Sequence, residues 1–424
     1  LQVKSGTLET AGTVSLGGGS LKAALSGKVL NLGKLLADAA GEAAFELSAT
    51  GPVDGLDVSA KVTSSGATLS GRTLSDLVVT LVGKAVPGSP SGELTATGAL
   101  DGQPINIRSS VTSEGGRISV PVLEAEIGPN TLKGSLALAQ NFMPDGTIRF
   151  DFPDLGLLAA MAGQQASGDL SGQVEIATAG GRTSATVQAS GSAIRRDAVS
   201  ITRPAVDLSI TDLATAAITG TVRAERVASG ENRVEALKLD FSREGQATNF
   251  DLTGRLDGAP LVARGKVLQR DGGLDIALQT VEAAPRRIAL RLARPTTIGV
   301  ANGIVALDGL TIQAGSGSVA ISGKAGETLD LSVRLNALPA ALANSFAAGL
   351  DAGGTIGGTV TVRGKAAAPV VDYALDWSGA QTSHTRGAGV GALVINATGA
   401  FANNQLRLDT TLSGAGGLSF RGGG

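Results

Sequence analysis

Aliphatic and polar residues take turns along most of this chain. In the run Leu329-Asp330-Leu331-Ser332-Val333-Arg334-Leu335-Asn336 every odd position is a large aliphatic and every even one is polar. A period of two places the aliphatics on one face of a β-strand and the polar groups on the other. The phrase recurs as Ile288-Ala289-Leu290-Arg291-Leu292, Leu237-Lys238-Leu239-Asp240-Phe241 and Ile148-Arg149-Phe150-Asp151-Phe152. Turn signals separate such runs: Asp54-Gly55, Asp101-Gly102, Asp145-Gly146, Asp257-Gly258, Asp271-Gly272 and Asp308-Gly309, with Asn302-Gly303 in addition. Asp-Gly and Asn-Gly readily supply the positive φ that both central residues of a type I′ hairpin require. The pattern predicts an all-β fold: a long, mostly antiparallel sheet with one continuous apolar face.

Three stretches break the alternation with helical spacing, at 32–40, 155–162 and 339–348. Asn31 and Asp154 stand where an N-cap belongs, Pro339 suits a first helical turn, and Gly41, Gly163 and Gly349 suit the position just past the helix end. A Gly-rich strand pair follows each, giving an irregular internal repeat. The spacing predicts short helices that pack their leucines over an end of the sheet. No linker or composition shift marks a boundary, so residues 1–424 read as one β-repeat region. The chain opens inside a strand-like phrase and closes on Gly422-Gly423-Gly424, as an excerpt of something longer would.

Composition sharpens this picture. Glycine accounts for 61 of 424 residues, which disfavours helices and suits turns and bulges. The chain has no cysteine, so disulfides, thiolate metal sites and cysteine nucleophiles are excluded. A net charge of −2 with 3% aromatics gives no footprint for nucleic acid. The one histidine, His384, lies in a polar stretch read as a loop or strand edge, with no carboxylate cluster near it. Gly315-Ser316-Gly317-Ser318 lacks the Gly-Lys-Ser/Thr ending of a phosphate loop and reads as a turn. No catalytic constellation, metal motif or cofactor motif is present, and the chain reads as a non-enzyme.

Two runs carry a family likeness. One is Val305-Ala306-Leu307-Asp308-Gly309-Leu310-Thr311-Ile312-Gln313-Ala314 continuing to Gly323; the other is Gly358-Thr359-Val360-Thr361-Val362-Arg363-Gly364 continuing to Val371. With the leucine-containing turn between them, they resemble the TamB family, the inner-membrane subunit of the bacterial translocation and assembly module within the AsmA-like group. The resemblance is best over 290–408. It implies a sheet curled into an open, taco-like trough with an apolar interior. It also implies a periplasmic location, an inner-membrane anchor outside this chain, and an outer-membrane barrel protein as partner. The trough would carry phospholipid acyl chains between the two membranes and support outer-membrane biogenesis.

The expected groove-lining residues are Ile288, Leu290, Leu292, Val319, Ile321, Leu329, Leu331, Val333, Leu335, Val360 and Val362. Alternation alone gives these residues one apolar face, and an ordinary sandwich core would show the same pattern. Two rival functions stay open at this point. A secreted β-helix or adhesin-like passenger would need parallel pairing in near-constant rungs. A chaperone platform would offer an exposed strand edge to nascent outer-membrane barrel strands.

Overall fold

The computed structural model describes residues 2–4, 8–35, 38–139, 143–215, 217–230, 232–270, 272–345 and 349–424. Their architecture is all-β. The chain divides into two units, Leu1–Ala214 and Thr215–Gly424. In both, most strands join their neighbours in sequence as an antiparallel meander, while a few pairings skip short strands, as where Arg182–Ser190 pairs with Ala205–Ile210, and every described pairing is antiparallel. The parallel rungs of a β-helix are not found among them.

Register aligns the apolar positions from strand to strand. In the first unit Leu25 faces Leu47, which faces Ala60, then Leu81 and Leu94 in turn. Farther along, Ile148 faces Val174, which faces Val187, which faces Leu208. In the second unit Val267, Ile276, Ile298 and Leu307 face one another in succession. Leu307 then faces Gly323, and the row runs on through Leu331, Val362, Val371, Phe401 and Leu406.

Bulges keep these rows in phase and bend the sheet. Leu307 and Leu310 are three residues apart, a spacing that would put them on opposite faces of a regular strand. Their partners Gly323 and Ile321 are only two apart, so the extra residue restores both leucines to one face. Gly309, at φ +72, takes the left-handed conformation there. Leu335 and Leu338 repeat the device opposite Gly358 and Ile356, with Ala337 at φ +46. Asp308-Gly309 is therefore a bulge within Ile304–Ala314 and not a hairpin turn. Asp145-Gly146 likewise lies inside the strand Pro144–Phe152, and neither residue of Asp54-Gly55 has positive φ.

The paired positive φ of a type I′ turn is found at Asp101-Gly102, Asp257-Gly258 and Asn302-Gly303. Asp271 lies outside the described residues. Turns of the same kind also use Gly18-Gly19, Ser70-Gly71, Gly180-Gly181 and Asn403-Asn404, residues that likewise tolerate the left-handed region.

One of the three expected helices forms as such. α1 (Leu155–Met161) is capped by Asp154, whose Oδ1 accepts from the Leu157 N–H at 3.2 Å. The other two shrink to 3₁₀ turns, Leu32–Lys34 and Ala340–Ser345; residues 36–37 and 346–348 of those stretches lie outside the described residues. A few residues between strands are too short to repay helix nucleation without packing. A second helix, α2 (Ser383–Gly387), arises where none was expected and carries His384. Its capping box pairs Thr382 and Thr385: each hydroxyl accepts from the other's N–H. Among the described residues no helix is long and apolar enough to cross a membrane.

Buried side chains are few. The clearest cluster is Leu100, Ile105 and Leu157, with Leu74, Ile107, Ile127 and Met161 against it, where α1 seals one end of the first unit's apolar face. Gly128 lets α1 come close: a Cβ there would lie 2.9 Å from Leu157 Cδ2. Asn130, itself buried, ties the helix down by donating to the Ile127 carbonyl and accepting from the Asp154 N–H.

Candidate functional site: the apolar face

Outside that cluster, the row residues are not buried. Leu25, Leu94, Ile148, Val187, Ile276, Leu331 and Val362 are half-buried, and Leu47, Leu81 and Leu406 are exposed. The chain presents 23825 Å² of accessible surface. A compact 42.0 kDa monomer would present about 15,000 Å², and two compact halves together about 18,000 Å². Much of the apolar face is thus uncovered by protein.

Ten of the eleven expected lining residues share one face of the second unit. Leu292 faces Ile312, which faces Val319, which faces Leu335. Ile321 faces Val333, and Val333 faces Val360. Leu331 faces Val362, and Leu329 faces Gly364. Leu290 faces Ala314 beside Leu292.

Ile288 is the exception. The strand is confined to Leu290–Leu292, and Ile288 follows a 3₁₀ turn over Pro285–Arg287, its N–H donating to the Pro285 carbonyl at 2.9 Å. Pro285, with its fixed φ and no N–H, favours the turn over a ladder.

The face is wider than the sequence suggested. Ile356, Trp377, Ile395 and Leu412 form a further row, and Ile298, Leu307, Leu310 and Ile312 belong to it as well. The missed signal was a three-residue spacing of leucines across Asp-Gly. The first unit's row was missed because Gly134, Ser109 and Ala60 interrupt its aliphatics.

Glycines on this face commonly oppose large side chains. Gly27 faces Phe45, Gly265 faces Phe250 and Gly399 faces Tyr373. The aromatic lies over the bare backbone, which keeps the surface level. Phe150 and Phe152 stack on one another with ring centroids 5.1 Å apart.

Charge is confined to the opposite face and the strand ends. There Arg264 pairs with Asp251 at 3.0 Å, Lys266 with Glu244 at 2.7 Å and Arg270 with Asp275 at 2.7 Å. Lys266 and Asn249 hold the Glu244 carboxyl below its ordinary range, and Lys238 with Thr221 does the same for Asp240. At a hairpin end, the Arg72 guanidinium and then the Thr73 N–H lower the Asp101 carboxyl. Asp169 is lowered by the Ser192 hydroxyl and backbone N–H. Each shift has a local structural partner. Grooves on the polar face, such as one of 390 Å³ bounded by Thr95, Arg108, Glu124 and Lys133, mix both signs of charge.

His384 Nδ1 lies 3.4 Å from Ser383 Oγ, and no cluster of potential metal ligands occurs among the described residues. Compared with protein-family models, curated proteins and solved structures, the chain shows no match.

Proposed function

We propose that the apolar face is a sliding surface for phospholipid acyl chains, and that the protein conducts them between two membranes across the periplasm. The observation that supports this reading is the register itself. Aliphatic positions run without a charged residue from Val267 through Leu331 to Leu406, half-buried or exposed at every strand. The likeness to the TamB family points the same way and supplies the expected partner, an outer-membrane barrel protein.

Moving an acyl chain of about 16 carbons through water costs on the order of 12 kcal/mol, at about 0.8 kcal/mol per CH₂. A continuous aliphatic wall removes most of that barrier. Gly and Ala between the larger side chains keep the wall shallow, so no single position holds a chain tightly.

The test is in-cell photocrosslinking with a probe placed separately at Leu331 and at Ser332, which lie on opposite faces of the strand Thr328–Pro339. Phospholipid adducts at Leu331 and none at Ser332 are expected. Protein adducts at Leu331 would favour the chaperone platform, and no adduct at either position would mean a closed core.

A further inference from the structure

A cavity of about 980 Å³ opens in the first unit beside α1, and its lining differs from the face it adjoins. Its lining includes Gly156, Ala160 and Gly163 of α1 and its C-terminal turn, together with Asp38, Ser70, Arg72, Arg195 and Asp197. Arg72 is two residues from Leu74, and Ala160 precedes Met161; both Leu74 and Met161 pack on the buried cluster that ends the apolar face. A polar chamber lined by two guanidiniums and two carboxylates therefore borders the buried cluster under α1. Arg72 is anchored by Asp101 at 2.6 Å, and this pair holds it at the chamber wall. Among the described residues, the side chains of Arg195 and Asp38 have no ion-pair or hydrogen-bond partner, leaving both charges available.

We infer that this chamber receives the headgroup of a zwitterionic phospholipid, a phosphate diester carrying a primary ammonium, while its chains lie on the apolar face. Arg195 and Arg72 meet the phosphate, since guanidinium forks match phosphate oxygens. Asp38 and Asp197 meet the ammonium. Arg72 and Asp197 already pair with Asp101 and with Arg196, so the open charges are those of Arg195 and Asp38, and a headgroup of one sign would leave one of the two uncompensated. This inference rests on the acyl-chain reading above, and its test separates the two.

The purified protein is incubated with vesicles of equal parts phosphatidylethanolamine, phosphatidylglycerol and phosphatidylcholine of identical chains. A photocrosslinking probe at Leu81, on the first unit's apolar row, reports which lipids are held. Enrichment of phosphatidylethanolamine by at least about threefold is expected, because only its ammonium can donate to the carboxylates. Arg195→Gln should lower total capture severalfold, Arg195→Lys should recover part of it, and Asp38→Asn with Asp197→Asn should abolish the preference while leaving capture in place. Unchanged capture and composition in all these variants would overturn the chamber assignment and leave the acyl-chain reading standing. No lipid at Leu81 on the unsubstituted protein would overturn the chamber assignment, and none at Leu331 as well would overturn both readings. A third arm adds inorganic phosphate: Arg195-dependent phosphate binding without discrimination among the vesicle lipids would mark a free-anion site and sink the inference.

Discussion

Phe250 lies over Gly265: a Cβ built on that glycine would come within 2.7 Å of the ring's Cζ. The two residues face each other across the strands Ala247–Leu256 and Ala259–Arg270. Gly265→Ala would set its methyl against both that ring and the Ala277 carbonyl oxygen, and should destabilise the second unit by about 1–3 kcal/mol. Gly387→Ala is the control, because nothing lies within 4 Å of that position and its φ is not positive. Urea unfolding of both variants decides the point; equal midpoints would mean that the ring gives way without cost.

The alternating pattern made the strand interiors and the face of Leu329, Leu331, Val333 and Leu335 legible in sequence. Asp308-Gly309 was misleading for a physical reason. A left-handed Gly serves a bulge as well as it serves a hairpin, and only the spacing of Leu307 and Leu310 separates the two. The helices were overread because capping signals were present at Asn31 and Asp154 alike, but α1 alone has a described leucine, Leu157, in a buried cluster. The chamber beside α1 was illegible, since Asp38, Ser70, Arg72 and Arg195 are brought together only by packing.

Burial predicts an uneven response to truncation. Leu157→Ala removes a buried side chain from the small cluster under α1 and should cost about 2–5 kcal/mol in the first unit. Leu331→Ala, at a half-buried position, should cost only about 1 kcal/mol. Hydrogen exchange on each variant reads both losses. A Leu331→Ala loss as large as that of Leu157→Ala would mean that something covers the apolar face.

Asn130 should matter more than its size suggests. Asn130→Leu leaves the Asp154 N–H without its acceptor and should loosen α1, at a cost of about 1–3 kcal/mol. Faster amide exchange over residues 154–161, with the strands of the second unit unchanged, is the expected result.

Ala337 occupies the left-handed region at φ +46 to complete its bulge. Ala337→Val should cost about 1–2 kcal/mol, because a β-branched side chain fits that conformation poorly. Ala337→Gly should be neutral or stabilising. A thermal scan in which Val is tolerated as well as Gly would count against the bulge.

Asp101 gives an acid-side prediction. Its folded carboxyl is depressed by Arg72 and the Thr73 N–H, so its contribution is present above the unfolded value of about 3.9 and disappears as pH falls through the lower folded value. The stability gap between the native chain and Asp101→Asn should stay constant from pH 7 to about pH 5 and close below about pH 4. A gap that persists at about pH 2 would show that the difference is steric.

The described strands mostly pair with their neighbours in sequence, which bears on how such a molecule comes into being. A chain delivered one end first can zip each strand onto the last, with no segment waiting for a distant partner and only short loops to close. Growth is modular for the same reason: each inserted hairpin carries the aliphatic row two strands farther and leaves the phase of every other strand untouched.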